Sequence, residues 1–210
     1  MSILEKLACH QNRRDEVPNQ ELARELVETQ NREGLREIAE NLWNKDKNVR
    51  ADCIKVLYEA GYLAPELIAA YTGDFLKLTK SRNNRLVWGG MIALSTVAAL
   101  KADELFPHVR EIEQVMDAGS VITRDCGVRI LVQIAAQDEA YRREIFPYLL
   151  SHLATCRPKD VAQHSEKSLP AVDGQNQAEF IALLEKRSVD LSKSELARVR
   201  KVIKTASKGD

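Results

Sequence analysis

Apolar side chains recur at helical spacing along most of the chain. In NVRADCIKVLYEAG, the residues Val49, Cys53, Val56 and Leu57 follow the i, i+4, i+7, i+8 pattern of one helix face. No segment of the sequence shows the alternating β-branched pattern that is typical of strands. The pattern therefore predicts an all-α protein.

One helical pattern returns at a nearly constant interval. An apolar residue, a small residue four positions later and an aliphatic residue eight positions later occur together four times. The four sets are Val49-Cys53-Leu57, Leu86-Gly90-Leu94, Ile122-Cys126-Ile130 and Val161-Ser165-Leu169. Their starts are 37, 36 and 39 residues apart, which leaves room for two helices of about 15 residues and two turns. We expect a repeated helical hairpin.

Two prolines occupy similar places in the helix that precedes the repeated pattern. DELFPHVREI contains Pro107, and REIFPYLLSHL contains Pro147. A proline inside a helix removes a backbone hydrogen bond and kinks the axis. Its recurrence predicts equivalent kinked first helices in neighbouring repeats.

The most apolar stretch, LVWGGMIALSTVAAL, contains two adjacent glycines. Gly89 and Gly90 each cost about 1 kcal/mol in a helix interior, so we expect a neighbouring helix to approach closely there. The run of about 15 apolar residues is shorter than the roughly 18 that a membrane span needs. It therefore predicts a buried helix, and no association with membranes is expected.

The repeats resemble the HEAT-repeat (armadillo-like) family, in the form of a bacterial-type HEAT protein. The resemblance lies in the prolines of the first helices, in polar turns such as NKDKN (44–48), and in Val49-Arg50 at the start of a second helix. It implies a right-handed α-α superhelix, a solenoid of four to five helical hairpins. The whole chain would form one domain, with N-terminal cap helices in 1–30, repeats in 31–172 and C-terminal cap helices in 173–210.

Composition narrows the classes of function. Lys plus Arg equals Asp plus Glu at 31 each, so the formal net charge is zero, whereas dedicated nucleic-acid-binding domains are usually basic. The four cysteines form no CxxC motif, and the N-terminus lacks the basic-then-apolar order of a signal peptide. We therefore expect a reduced, cytoplasmic protein for which nucleic acid is an unlikely partner.

The polar positions of the second helices are the candidate binding residues, because these helices line the concave face of a HEAT-like stack. The candidates on this face are Asp52, Lys55, Trp88, Arg124, Asp125, Arg129 and His164. A second set lies at the turn edge, where helix N-termini attract anions: Arg50, Arg82 and Arg85. Each candidate also has a structural interpretation that competes with ligand binding. Trp88 could pack between repeats, and Asp125 could form an i, i+4 ion pair with Arg129.

Metal binding and catalysis have little support in the sequence. His152 and Cys156 are four residues apart and could provide two zinc ligands. No second pair at ligand spacing follows, and Cys156 continues an apolar stripe. Phosphate-binding loops, GxSxG and HExxH are absent from the sequence. We expect no metal, no cofactor and no catalytic residues.

The favoured function is a non-enzymatic scaffold or adaptor that binds a protein or peptide along the concave face. The main alternative is a HEAT-like alkylpurine DNA glycosylase or DNA-binding protein, because Trp88, Arg124 and Asp125 are of the residue types that such enzymes use. A third possibility, which rests on repeat type alone, is a tetrapyrrole chaperone similar to the bilin-lyase-type HEAT proteins. The partner and the oligomeric state are not specified by the sequence.

Overall fold

The computed structural model describes residues 2–208, and these residues form helices and turns without a strand. The α-helices are α1 (Val17–Glu28), α2 (Arg32–Glu40), α3 (Lys47–Leu63), α4 (Thr72–Leu78), α5 (Asn84–Val97), α6 (Ala102–Leu105), α7 (Val109–Ala118), α8 (Val121–Ala135), α9 (Glu139–Thr155), α10 (Pro158–Ser168), α11 (Gln177–Arg187) and α12 (Lys193–Ala206). Short 3-10 helices cover Ile3–Lys6, Asn41–Trp43, Pro65–Leu67, Ala69–Tyr71, Phe106–His108, Leu169–Ala171 and Ser188–Asp190. The predicted all-α class is confirmed. Within the described residues, no helix combines the length and apolarity needed to cross a bilayer.

The four repeated sequence patterns begin near the starts of α3, α5, α8 and α10. In α3, Val49, Cys53 and Leu57 are all buried, as the helical spacing predicts. The repeated pattern fits α8 less well, because Ile122 is 39% exposed whereas its neighbour Thr123 is buried. The Thr123 hydroxyl donates to the Ser120 carbonyl at 2.7 Å, and this satisfied hydrogen bond lets a polar side chain take the buried position.

The helices divide into two compact units. The first comprises the chain up to residue 101 together with 115–126. Within it α3 packs against α1, α2 and α5, and α4 packs against α5. The core of this unit includes Leu22, Leu26, Ile54, Phe75 and Leu94. The predicted division into one domain with two caps stays a prediction.

The two glycines of α5 lie where neighbouring helices come closest. A Cβ atom on Gly89 would stand 2.5 Å from Cγ1 of Ile54 in α3, and one on Gly90 would stand 2.9 Å from the Phe75 carbonyl of α4. The close approach predicted from the sequence is confirmed. It explains why a helix interior accepts two residues of poor helix propensity.

The second unit comprises residues 102–114 and the chain from 127 onward. Within it α10 and α11 pack against α12, and α11 also packs against α9. Phe146 and Phe180 meet with ring centroids 6.1 Å apart. Helix α12 begins with a capping box, in which Ser192 and Glu195 cap each other's backbone N–H groups.

Two predictions of local structure differ from what the chain forms. Pro147 lies inside the continuous helix α9, whereas Pro107 lies in the 3-10 turn between α6 and α7, so the two prolines are not equivalent. The spacing of Asn176 and Glu179 predicts a capping box at the start of α11, but Asn176 makes no side-chain cap there. Its amide instead accepts from the Asp173 N–H and donates to the Ala171 carbonyl. The spacing of residues in the sequence does not report these hydrogen bonds of Asn176.

Candidate functional site

A groove of about 820 Å³ lies within the first unit. One wall comes from α3, a second from α5 with Ile122 of α8, and a third from the N-terminal segment, residues 8–16, with Asn19 of α1. Its volume falls within the range of about 300–1,000 Å³ that is usual for ligand sites. The groove therefore serves as the candidate functional site.

The α3 wall contains two residues predicted from the sequence. Asp52 and Lys55 are three residues apart, and Tyr58 follows three residues later, so the three side chains share one helix face. The Lys55 ammonium lies 4.8 Å from the centre of the Tyr58 ring, a distance suited to a cation–π contact. This face opposes the buried stripe that begins at Val49.

The α5 wall also presents one helix face to the groove, with different chemistry. Arg85, Trp88 and Ile92 line the groove at i, i+3 and i+7, with Gly89 between them. Arg85 is exposed and Trp88 is partly exposed. Trp88 thus presents part of its indole to the groove, where an aromatic side chain can contact an apolar or aromatic group of a ligand.

The N-terminal segment is held against α3 by polar contacts. The Cys9 N–H donates to Asp52 Oδ2 at 2.8 Å. Lys55 Nζ lies 2.7 Å from Glu16 Oε2 and 2.8 Å from Glu59 Oε1. Asp52 and Lys55, which the sequence presents as candidates to bind a partner, are therefore engaged by the protein itself.

Buried charge at the groove is stabilised by these contacts. Burial alone would lower the pKa of Lys55, but its hydrogen bonds to Glu16 and Glu59 outweigh that effect and raise the pKa above its ordinary value. Lys55 therefore stays protonated across the physiological range. It cannot act there as a neutral amine nucleophile.

The one thiol that lines the groove is unreactive. Burial, followed by the hydrogen bond and negative charge of Asp52, raises the pKa of Cys9 to about 12. Cys9 is therefore almost wholly protonated at neutral pH. Because the thiolate is the nucleophilic form of cysteine, Cys9 is a weak nucleophile there. The groove thus offers binding chemistry rather than an activated cysteine.

Two guanidinium groups at the groove remain available to a ligand. Arg13 pairs with Asp15 at 2.8 Å. Among residues 2–208, the side chains of Arg14 and Arg85 have no hydrogen-bonded or ion-paired partner. The groove therefore contains two exposed positive groups as well as an indole.

The other predicted residues lie outside this groove. Arg124 directs its Nε to the Met116 carbonyl at 3.3 Å, and it does not join Trp88 in the groove. Asp125 is partly exposed, Arg129 is exposed, and His164 is buried against His152. At the turn edge, Arg82 is exposed and Arg50 is partly exposed with a buried Nε. Of the trio that the glycosylase alternative requires, only Trp88 lines this groove, without Arg124 or Asp125.

Sequence reasoning missed the third wall of the groove. The charged run NRRDE, residues 12–16, is visible in the sequence, but nothing local indicates that it crosses α3. Tyr58 and Ile92 could have been found, because they extend the helix faces of Lys55 and Trp88 by three and four residues. Their helical spacing was the available signal.

Comparisons with known proteins support the fold. No family model matches the chain, and no curated protein matches it. A designed armadillo repeat protein superposes with a TM-score of 0.70 at 11% identity, covering 97% of this chain and 98% of that one. A second, solved in complex with the peptide (KR)4, gives a TM-score of 0.70 at 12% identity and covers 88% and 85%. An engineered protein from a structural genomics consortium gives 0.68 at 15% identity, covering 100% and 98%.

This chain has an armadillo-like helical repeat fold. The similarity covers nearly its whole length, although the low sequence identity limits the finding to the fold. The all-α solenoid expected from the repeat period is therefore confirmed.

Proposed function

We propose that the protein is a binding scaffold whose groove in the first unit takes an acidic peptide segment that carries an apolar or aromatic side chain. The observation that carries this proposal is that one groove holds two unpartnered guanidiniums, Arg14 and Arg85, and the partly exposed indole of Trp88. Guanidinium groups bind carboxylates through paired hydrogen bonds. Tryptophan and arginine are also the residues that most often dominate binding energy at interfaces.

Charge distinguishes this proposal from the nearest alternatives. One designed armadillo protein of similar fold was solved with a basic peptide, whereas the available charges in this groove favour a ligand of opposite sign. Asp15, Glu16 and Asp52 also line the groove, but they are engaged by Arg13, by Lys55 and by the Cys9 N–H. The two remaining guanidiniums suit a ligand with one or two carboxylates, whereas the phosphate backbone of DNA needs a longer run of cationic contacts.

Fluorescence anisotropy tests the proposal with a labelled short acidic peptide containing one phenylalanine. The comparison ligand replaces each acidic residue by lysine. We expect 1:1 binding of the acidic peptide, and Arg85→Glu or Trp88→Ala should weaken it by about tenfold or more, because a hot-spot side chain contributes about 2 kcal/mol.

Matched controls exist outside the groove. Arg82→Glu changes an exposed arginine outside the groove, and Trp43→Ala removes the other tryptophan, which is 52% exposed. Both should bind like the unchanged protein. Equal affinity for the acidic and basic peptides, or equal losses in the control variants, would refute the proposal. Salt-sensitive retention of a DNA duplex that requires Arg14 and Arg85 would support the nucleic-acid alternative instead.

A further inference from the structure

A cluster of metal-binding side chains lies in the second unit, and none of its residues lines the groove. His152 belongs to the last turn of α9, Cys156 caps that helix, and His164 lies on α10. Their ligand atoms all lie within 4.8 Å of one another, and His152 Nε2 is 2.9 Å from His164 Nδ1. The sequence presents only the pair at i, i+4; the turn between α9 and α10 adds the third residue.

The surroundings hold these groups in place while leaving a path from solvent. His164 is 1% exposed, whereas His152 and Cys156 are partly exposed. Arg187 fixes the end of α9 by donating to the Leu153 carbonyl at 2.6 Å and to the Cys156 carbonyl at 2.9 Å. The Cys156 N–H also donates to the His152 carbonyl at 2.8 Å, which sets the separation of those two ligands.

We propose that His152, Cys156 and His164 bind a zinc ion. Two imidazoles and one thiolate offer the nitrogen and sulfur ligands that zinc prefers. Calcium and magnesium bind oxygen ligands instead. Tetrahedral zinc, with bonds of about 2.0–2.1 Å to nitrogen, sets its ligand nitrogens about 3.3 Å apart. The two imidazoles need to separate by only about 0.4 Å from their present contact.

The proton balance of binding is simple. The Cys156 thiol releases its proton to solvent as the zinc–sulfur bond forms. The imidazole proton shared between the two histidines moves to the remote nitrogen of its own ring, so both histidines bind as neutral ligands. Three protein ligands leave the fourth tetrahedral position for water or another donor.

Titration of the chelator-treated protein with cobalt(II) tests this site. We expect one equivalent to produce the intense visible bands of tetrahedral cobalt and a thiolate charge-transfer band, both removed by zinc. Cys156→Ser should abolish the charge-transfer band. His164→Gln should weaken binding by about 100-fold or more, since even residues outside the ligand shell alter affinity by 10–100-fold. The controls Cys126→Ser and His108→Gln alter residues outside the cluster and should bind cobalt unchanged.

A second measurement does not depend on whether the His164 variant folds. Alkylation of the unchanged protein, followed by peptide mass spectrometry, should show that one equivalent of zinc slows modification of Cys156 but not of Cys126. Equal modification rates with and without zinc would overturn the proposal. A charge-transfer band that persists in Cys156→Ser would overturn it as well.

Discussion

Gly89 allows α5 to approach α3 closely, and adding a single methyl group at this residue tests that role. Helix propensity favours replacing this glycine with alanine by at most about 1 kcal/mol. The space does not allow it, because the added Cβ would lie 2.5 Å and 2.8 Å from Cγ1 and Cγ2 of Ile54, which is 2% exposed. Packing and propensity therefore act in opposite directions at this residue.

We expect Gly89→Ala to destabilise the protein. Overpacking typically costs about 1–3 kcal/mol, which exceeds the gain in helix propensity, and urea unfolding would measure the change. Gly73→Ala is the control, because a Cβ there meets nothing within 4 Å. Combining Gly89→Ala with Ile54→Ala should remove the penalty of the added methyl group. A penalty that is unchanged in that background would show that Ile54 is not its cause.

At the scale of elements, α9 is tied to the turn before α11 by one ion pair. Arg142 Nη1 lies 2.5 Å from Asp173 Oδ2, and the two side chains are 21% and 26% exposed. Burial raises the pKa of Asp173, but the hydrogen bonds from Arg142 and from the backbone outweigh it, so the pKa lies below its ordinary value of 3.8. A carboxyl whose pKa is lowered by folding stabilises the folded state above its ordinary pKa, and this contribution is lost as the pH falls through the folded-state value.

Asp173→Asn should therefore destabilise the protein by about 1 kcal/mol at pH 7, a value typical of a partly exposed pair. The difference in the free energy of unfolding between Asp173→Asn and the unchanged protein should shrink as the pH falls below 3.8. Urea unfolding across a pH series measures this difference. Asp74→Asn, in the exposed Asp74–Lys77 pair, is the control. A difference that stays constant down to acid pH would show that the charge of Asp173 is not responsible.

At the scale of the whole molecule, a helical repeat fold has mainly local contacts, so a defect should stay near its origin. We expect Gly89→Ala to accelerate amide hydrogen exchange in α3 and α5, and Asp173→Asn to accelerate it in α9 and α11. Hydrogen exchange followed by mass spectrometry would locate each effect. Acceleration spread evenly over the chain by both variants would show instead that it opens as a single cooperative unit.

Much of the fold of the whole molecule could be predicted, because helices and helical repeats leave a periodic pattern of apolar residues in the sequence. The spacing of apolar residues found α3, α5, α8 and α10, and the glycine pair correctly predicted a close helix contact. The candidate site was predicted only in part. Trp88 and Arg85 do line one groove, but Arg124, Asp125 and His164 do not.

The sequence by itself determined the helical class, the repeat period and the faces that α3 and α5 bury, because helical periodicity reports burial within one element. Only the tertiary structure placed the N-terminal segment across α3, paired Lys55 with Glu16, and brought His164 to His152 and Cys156. Those contacts join side chains from different elements. The spacing of residues within a helix states which face is polar, but it does not state which other segment that face will meet.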